Sequence, residues 1–115
     1  MRGGKRIGGI MSLRVVVVRE GDWWVAQGLE WDLAAQGHTV GEALESLKAV
    51  VMTQFCLCLE HGLDPRKEAI PAPEQYRIAF DIGIPLKPKP SEHHEQLPEA
   101  WMIDALKKAQ YRICA

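Results

Sequence analysis

The chain lacks three features that would point to a specialised class of protein: a long apolar run, an excess of charge of one sign, and a set of paired cysteines. No stretch approaches the roughly 20 consecutive apolar residues of a membrane-spanning helix, although 47% of the residues are hydrophobic. The 14 basic and 15 acidic residues give a formal net charge of -1, unlike the broad basic field of a dedicated nucleic-acid binder. We therefore expect no membrane contact and do not expect DNA binding.

The cysteines are Cys56, Cys58 and Cys114. An odd number of cysteines without a secretion signal indicates free thiols in a reducing compartment, so we expect a cytoplasmic protein. Residues 1–10 carry glycine and positive charge, and no apolar signal-peptide segment follows them; we interpret them as a flexible tail. A length of 115 residues suits one domain with one hydrophobic core.

The first third of the chain predicts three short strands. Residues 13–19 contain four consecutive valines, a composition typical of a strand that is covered on both faces. Gly21 lies in a Glu-Gly-Asp segment that predicts a hairpin turn, and residues 23–29 form the second predicted strand. A third strand is predicted over residues 33–36, ending at Gly37.

A helix is predicted from about residue 40 to about residue 60. Thr39 is placed to accept a hydrogen bond from the backbone N–H of Glu42, whose side chain is placed to reach back to the N–H of Thr39, which makes a capping box. Apolar residues then recur at helical spacing along one face. The last turns are apolar nearly all round, which requires a second cover from the C-terminal part of the chain or from another subunit.

The second half of the sequence changes pattern twice. Residues 76–84 alternate apolar and other side chains, which predicts a fourth strand with one apolar face. Residues 85–96 are rich in proline and lysine, which predicts an extended linker. Residues 97–115 carry an apolar stripe at helical spacing and predict an amphipathic helical arm. The expected architecture is a mixed α/β (α+β) domain over residues 11–84, of β-β-β-α-β order in two layers, followed by the linker and this arm.

Several of these motifs resemble the HicB family of antitoxins, whose core is similar to a truncated ribonuclease H fold. The resemblance covers a little under half of the chain. It rests on the β-β-β-α-β order, on an aromatic residue followed by Val-Ala at Trp24, and on Gly37-x-Thr39 leading into Glu42-Ala43. It implies a binding module that neutralises a small basic ribonuclease toxin by protein contact and works as an oligomer.

The chain departs from that family in two places. The Pro-Gly-Cys type of bend between the second and third strands is replaced by a segment that contains Trp31. Many members also carry a C-terminal DNA-binding domain, whereas a single helix is predicted after the linker here. A helix-turn-helix needs at least two helices, and we therefore do not expect operator binding.

The sequence offers no catalytic constellation. Ribonuclease H chemistry needs carboxylates that converge on magnesium, and the valine run at the centre of the first strand contains none. Glu20 and Asp22 flank the hairpin turn, while Glu30 and Asp32 flank the next break. Consecutive turns lie at opposite ends of a sheet, so these acids are not expected to meet. We predict no catalytic residue, no metal site and no cofactor.

The tryptophans are the best candidates for a partner-binding surface. Trp23 and Trp24 are adjacent in a predicted strand and therefore point to opposite faces of the sheet. One of them should enter the core beneath the helix, and the other should face outward. Because tryptophan is enriched at the centre of protein interfaces, Trp23, Trp24, Trp31 and Trp101 are our candidate contact residues.

Three further functions stay open at this point. One is an orphan HicB-like homo-oligomer, most simply a dimer, that has no toxin. A second is a nucleic-acid-binding regulatory protein, supported by Lys87, Lys89, Lys107, Lys108 and Arg112. A third is a small magnesium-dependent hydrolase that uses the turn carboxylates.

Overall fold

The computed structural model describes residues 12–87, 97 and 99–114. Within them the chain forms a five-stranded sheet and four helices, so the expectation of a mixed α/β fold is confirmed. The elements in chain order are β1 (Arg14–Glu20), β2 (Trp23–Gly28), β3 (Ala34–Gly37), α1 (Val40–Glu60), α2 (Pro65–Glu68), α3 (Glu74–Ile82), β4 (Ile84–Leu86), α4 (Ala100–Lys107) and β5 (Gln110–Cys114).

The sheet has the strand order β3-β2-β1-β5-β4. The β1–β5 pair is parallel, and the other pairs are antiparallel. The valine run occupies the central strand β1, and the relative exposures of Val15, Val16 and Val17 are 5%, 0% and 0%. Because alternate residues of a strand face opposite sides, both faces of β1 are covered, as the sequence predicts.

The larger core lies between one face of the sheet and the helices α1 and α4. Phe55, in the C-terminal third of α1, is fully buried. It belongs to a cluster with strand residues, two tryptophan rings and the apolar stripe of α4. The buried members contributed by α4 are Met102, Ala105 and Leu106. The amphipathic stripe predicted near the C-terminus therefore packs in cis against the part of α1 that contains Phe55.

The start of α1 follows its predicted cap with one difference. The Thr39 hydroxyl accepts a hydrogen bond from the N–H of Glu42 at 3.1 Å. The Glu42 carboxylate reaches back to the N–H of His38 at 3.0 Å, one residue before the expected donor. A Cβ on Gly37 would lie 2.6 Å from the backbone nitrogen of Ala43, so glycine is needed where β3 meets the helix.

The strand predicted over residues 76–84 is wrong, because this segment is α3 followed by β4. The helix turns Tyr76, Ala79 and Phe80 toward the face of the sheet opposite α1, and Phe80 is 3% exposed against Val16 and Leu29. The packing of α3 on the far face outweighs the β propensity of the alternating pattern, since tertiary packing routinely overrides local preference.

Part of the far face is therefore covered, and α3 adds a third layer to the two that the sequence predicts. Arg112 of β5 strengthens this third layer by donating to the carbonyl oxygen of Phe80 at 3.1 Å. This contact places a positive charge at the C-terminal end of α3, where the helix dipole favours it. The guanidinium groups of Arg14 and Arg112 also lie over the Phe80 ring, 5.6 Å and 4.6 Å from its centroid.

The helical arm predicted over residues 97–115 ends early. The helix α4 stops at Lys107, and Gln110–Cys114 forms β5 inside the sheet, between β1 and β4. The reason is that the second edge of β1 would otherwise have no strand to pair with. In the parallel pair, Ile113 of β5 lies opposite Val17. The segment is thus part of the domain and not an arm.

The predicted linker is also shorter than expected, since residues 85 and 86 belong to β4. The predicted tail over residues 1–10 and the linker residues 88–96 lie outside the described residues. In the part of the chain that is described, no helix combines the length and the apolar character needed to cross a membrane.

Candidate partner-binding surface

The two adjacent tryptophans of β2 lie on opposite faces of the sheet, as predicted. Trp24 pairs across the strand with Arg19, whose guanidinium lies 5.1 Å from the indole centroid. Trp24 also packs against the larger core. Trp23 points the other way and keeps 38% of its surface exposed. The outward-facing tryptophan is therefore Trp23.

Trp23 is held in place by a ring stack. The His38 imidazole lies 4.1 Å from the indole, with an angle of 28° between the ring planes. His38 is itself positioned by the start of α1, because its N–H donates to the Glu42 carboxylate. The exposed indole is thus fixed to the cap of the longest helix.

Three acidic residues are neighbours of this tryptophan in the strand register, in the sequence or through His38. Glu20 is its direct cross-strand partner in the register of β1 and β2, and residues paired in this way share one face of the sheet. Asp22 precedes Trp23 in the turn, and both acids are exposed. Glu42 is connected to the indole through His38. We call the group Glu20, Asp22, Trp23, His38 and Glu42 the Trp23 surface.

The tight turn between β1 and β2 brings Glu20 and Asp22 next to Trp23 in the hairpin. Gly21 adopts a positive φ of 61°, which a residue with a Cβ rarely adopts. The turn leaves only two residues between the paired Glu20 and Trp23. The nearby cation, Arg19, lies over Trp24 on the other face and donates to the carbonyl oxygen of Gly21.

The other two candidate tryptophans belong to the core. Trp31 is only 8% exposed and lies 5.8 Å from the Phe55 ring. Trp101 lies 5.4 Å from the same ring, edge to face, and the Arg66 guanidinium covers it at 4.2 Å. The structure therefore places Trp31 in the core, and Trp101 is half-buried. The helical stripe that includes Trp101 was the sequence signal for its burial.

A second exposed apolar group lies on α3 and β4. Ile78, Ile82 and Ile84 are 51%, 72% and 69% exposed. At the far end of α1, Leu57 and Leu63 are 42% and 44% exposed. The cover predicted for this end of the helix is therefore only partly supplied by the C-terminal segment.

Sequence reasoning missed a buried lysine. Lys48 is 7% exposed, and its ammonium group reaches Glu45 at 3.1 Å while lying 6.0 Å from the Tyr111 ring centroid. Burial, and then the charge of Glu45, raise the pKa of Tyr111 to about 12. The signal was present, since Lys48 follows Leu47 and precedes Val51 on the buried side of α1. Its role is to link α1 to β5.

A cleft beside the start of β1 and of α3 is lined by charges that are already matched. Its volume is about 300 Å³, and it opens beside Arg14, Leu29, Glu30, Pro71, Ala72, Glu74 and Arg77. Arg14 pairs with Glu30 at 2.5 Å, and Arg77 pairs with Glu74. Each ionised side chain of the cleft thus has a partner of opposite charge within it.

The turn acids do not converge on a catalytic centre. Glu30 is engaged by Arg14, and Asp32 accepts a hydrogen bond from the Gln27 amide at 2.8 Å. The full length of β2 separates them from Glu20 and Asp22. Among residues 12–87, 97 and 99–114, no group of three or more His, Cys, Asp and Glu side chains is placed to hold a metal ion.

The cysteines are free thiols, as the sequence predicts. Cys58 is buried within α1, and burial, followed by the charges of Glu68 and Asp64, raises the pKa of its thiol. Since the thiolate is the reactive form, this environment disfavours nucleophilic chemistry at Cys58.

No protein-family model, curated protein or solved structure matches the chain. The geometry itself therefore has to carry the assignment of a function.

Proposed function

We propose that the chain is a HicB-like, antitoxin-type binding module that neutralises a small basic ribonuclease by protein contact. The observation that carries this proposal is the exposed indole of Trp23, which stacks on His38, has Glu20 directly across the strand and follows Asp22 in the turn. Tryptophan is one of the residue types that contribute most binding energy at interfaces. An acidic surround suits a basic partner.

The local architecture adds support to the resemblance. The order β1-β2-β3-α1 matches the expected one, and Gly37, Thr39, Glu42 and Ala43 meet at the start of the helix. A later strand, β5, pairs with β1 in parallel. These features are structural, so they support the fold relationship, and the Trp23 surface supports the binding role.

The test begins with capture of a partner from native cells. The tagged wild-type chain is expected to recover a small basic protein in stoichiometric amount. The captured protein, purified by itself, should degrade RNA, and the wild-type chain should inhibit that activity. Trp23→Ala should weaken inhibition by at least about tenfold, the cost of losing an interface residue of this class.

The matched control is Ile70→Ala, which also truncates an exposed apolar side chain but lies between α2 and α3, outside the Trp23 surface. It should inhibit like the wild type. A captured protein without ribonuclease activity, or one that the chain does not inhibit, would refute the antitoxin role. Equal inhibition by Trp23→Ala would show that the contact lies elsewhere.

A second candidate is a homo-oligomer without a toxin, most simply a dimer. It is favoured by the exposed isoleucines of α3 and β4, Ile78, Ile82 and Ile84, because contiguous exposed apolar side chains mark interaction surfaces. Light scattering should then give a dimer for the wild type and a monomer for Ile82→Glu. A monomeric wild type would remove this candidate.

A further inference from the structure

The hairpin β1–β2 contains two tryptophans in contrasting electrostatic settings. Trp24 already has an arginine over its ring, since Arg19 lies 5.1 Å from the centroid. Trp23 lies on the other face with Glu20 directly across the strand and Asp22 beside it in the turn. Trp24 therefore has its cation within the chain, whereas Trp23 has the carboxylates that would hold one.

The exposed part of Trp23 is suited to a flat cationic group. His38 stacks on the indole at a centroid distance of 4.1 Å, and 38% of Trp23 stays accessible. A guanidinium favours the face of a tryptophan ring, stacks on it, and pairs with carboxylates through a planar set of donors. Among protein side chains, arginine combines all three properties.

We propose that the Trp23 surface is a receptor for an arginine side chain of the partner. The guanidinium lies against the indole and donates to Glu20 and Asp22, with Glu42 adding negative charge behind His38. This inference rests on the proposed binding function for its biological setting, and it names the chemistry by which a basic protein is recognised. The charge complementarity of the site, rather than exposed apolar area alone, selects this occupant.

The test uses a blocked tri-arginine peptide as the probe and the indole N–H signals of the full chain in two-dimensional NMR spectra as the readout. The peptide should shift the signal of Trp23, identified by its loss in Trp23→Ala, while the buried Trp31 signal stays in place. High salt should reduce the shift because the carboxylates are exposed. A blocked tri-citrulline peptide, which has the same shape without charge, should leave the Trp23 signal unmoved.

The decisive variant is Glu20→Gln/Asp22→Asn, which keeps the size of both side chains and removes their charge. Its apparent affinity for tri-arginine should fall by at least about fivefold, the loss expected for charge-assisted contacts. The control is Glu60→Gln/Glu68→Gln, which removes two exposed charges outside the Trp23 surface and should bind like the wild type.

An unmoved Trp23 signal, an equal response to tri-citrulline, or equal losses in both charge variants would overturn the proposal. The outcome is separable from the antitoxin test. A captured protein without ribonuclease activity would refute the proposed function and leave the peptide result standing. A failed peptide titration alongside genuine inhibition would refute the arginine receptor alone.

Discussion

The two faces of the sheet carry apolar cores of different size. We call the face toward α1 and α4 the deeper face and the opposite one the shallower face. The face toward α1 and α4 carries a continuous core centred on Phe55 and flanked by two tryptophans. The opposite face has a small cluster in which Phe80 meets Val16 and Leu29, and it is open at the end where Trp23 lies. The comparison shows that the first face buries many more apolar side chains, while the second leaves Trp23 exposed.

The largest effect is expected on the deeper face. Phe55→Ala should lower the free energy of unfolding by about 3–5 kcal/mol, because it leaves a cavity where α1, Trp31 and Trp101 meet. Urea denaturation measures this loss. Leu57→Ala, on the exposed side of the same helix, should change stability by less than about 0.5 kcal/mol. Similar losses for both variants would contradict the idea that the core is centred on Phe55.

The shallower face should respond locally. Phe80→Ala is expected to cost about 3 kcal/mol, at the low end for a buried phenylalanine, because the smaller cluster can collapse around it. Hydrogen exchange should accelerate first in α3, since Phe80 is its one buried side chain. Uniform acceleration in α1 and α3 would show that the two faces form one cooperative unit.

The link between α1 and β5 predicts a loss of stability in alkali. The pKa of Tyr111 is raised from 10.0 to about 12 in the folded protein, so the folded state retains a proton that the unfolded state loses. Stability from this group is complete below the unfolded value and is lost as the pH rises from 10.0 to about 12. Ultraviolet titration should show a late tyrosine ionisation that Tyr111→Phe removes; an early ionisation would contradict this.

The smallest of these effects belongs to the helix cap beside the Trp23 surface. Thr39→Ala removes the acceptor for the N–H of Glu42 and should cost about 1 kcal/mol. Thr53→Ala, at an exposed position within the same helix, supplies the control and should be near neutral. If thermal denaturation shows equal shifts for the two variants, the cap contributes nothing specific.

The sequence predicts the elements whose causes are local. Gly21 marks the hairpin, Thr39 starts α1, and the valine run identifies a strand covered on both faces; each prediction is confirmed within a residue or two. The opposed directions of Trp23 and Trp24 follow from the geometry of any strand. The outward direction of one of the two tryptophans could therefore be predicted from the sequence. The stack of Trp23 with His38 could not, since it depends on where β3 meets α1.

The wrong predictions involve segments whose structure depends on distant residues. Residues 76–84 alternate like a strand, yet Phe80 is required over Val16 and Leu29, and helical spacing is what brings Tyr76 and Ala79 beside it. Residues 110–114 continue an apolar helical stripe, yet they form the strand β5, which pairs with the second edge of β1. Neither partner is visible in a local window of sequence.

The placement of β5 has a consequence for how the protein folds during its synthesis on the ribosome. Val17 leaves the exit tunnel long before Ile113, its neighbour in the parallel pair. During that interval the central strand has an unprotected edge, which is a template for pairing with another nascent chain. Among the described strands, the one latest in the chain thus supplies the second neighbour of β1, and we expect incomplete nascent chains to be prone to strand exchange until it has been synthesised.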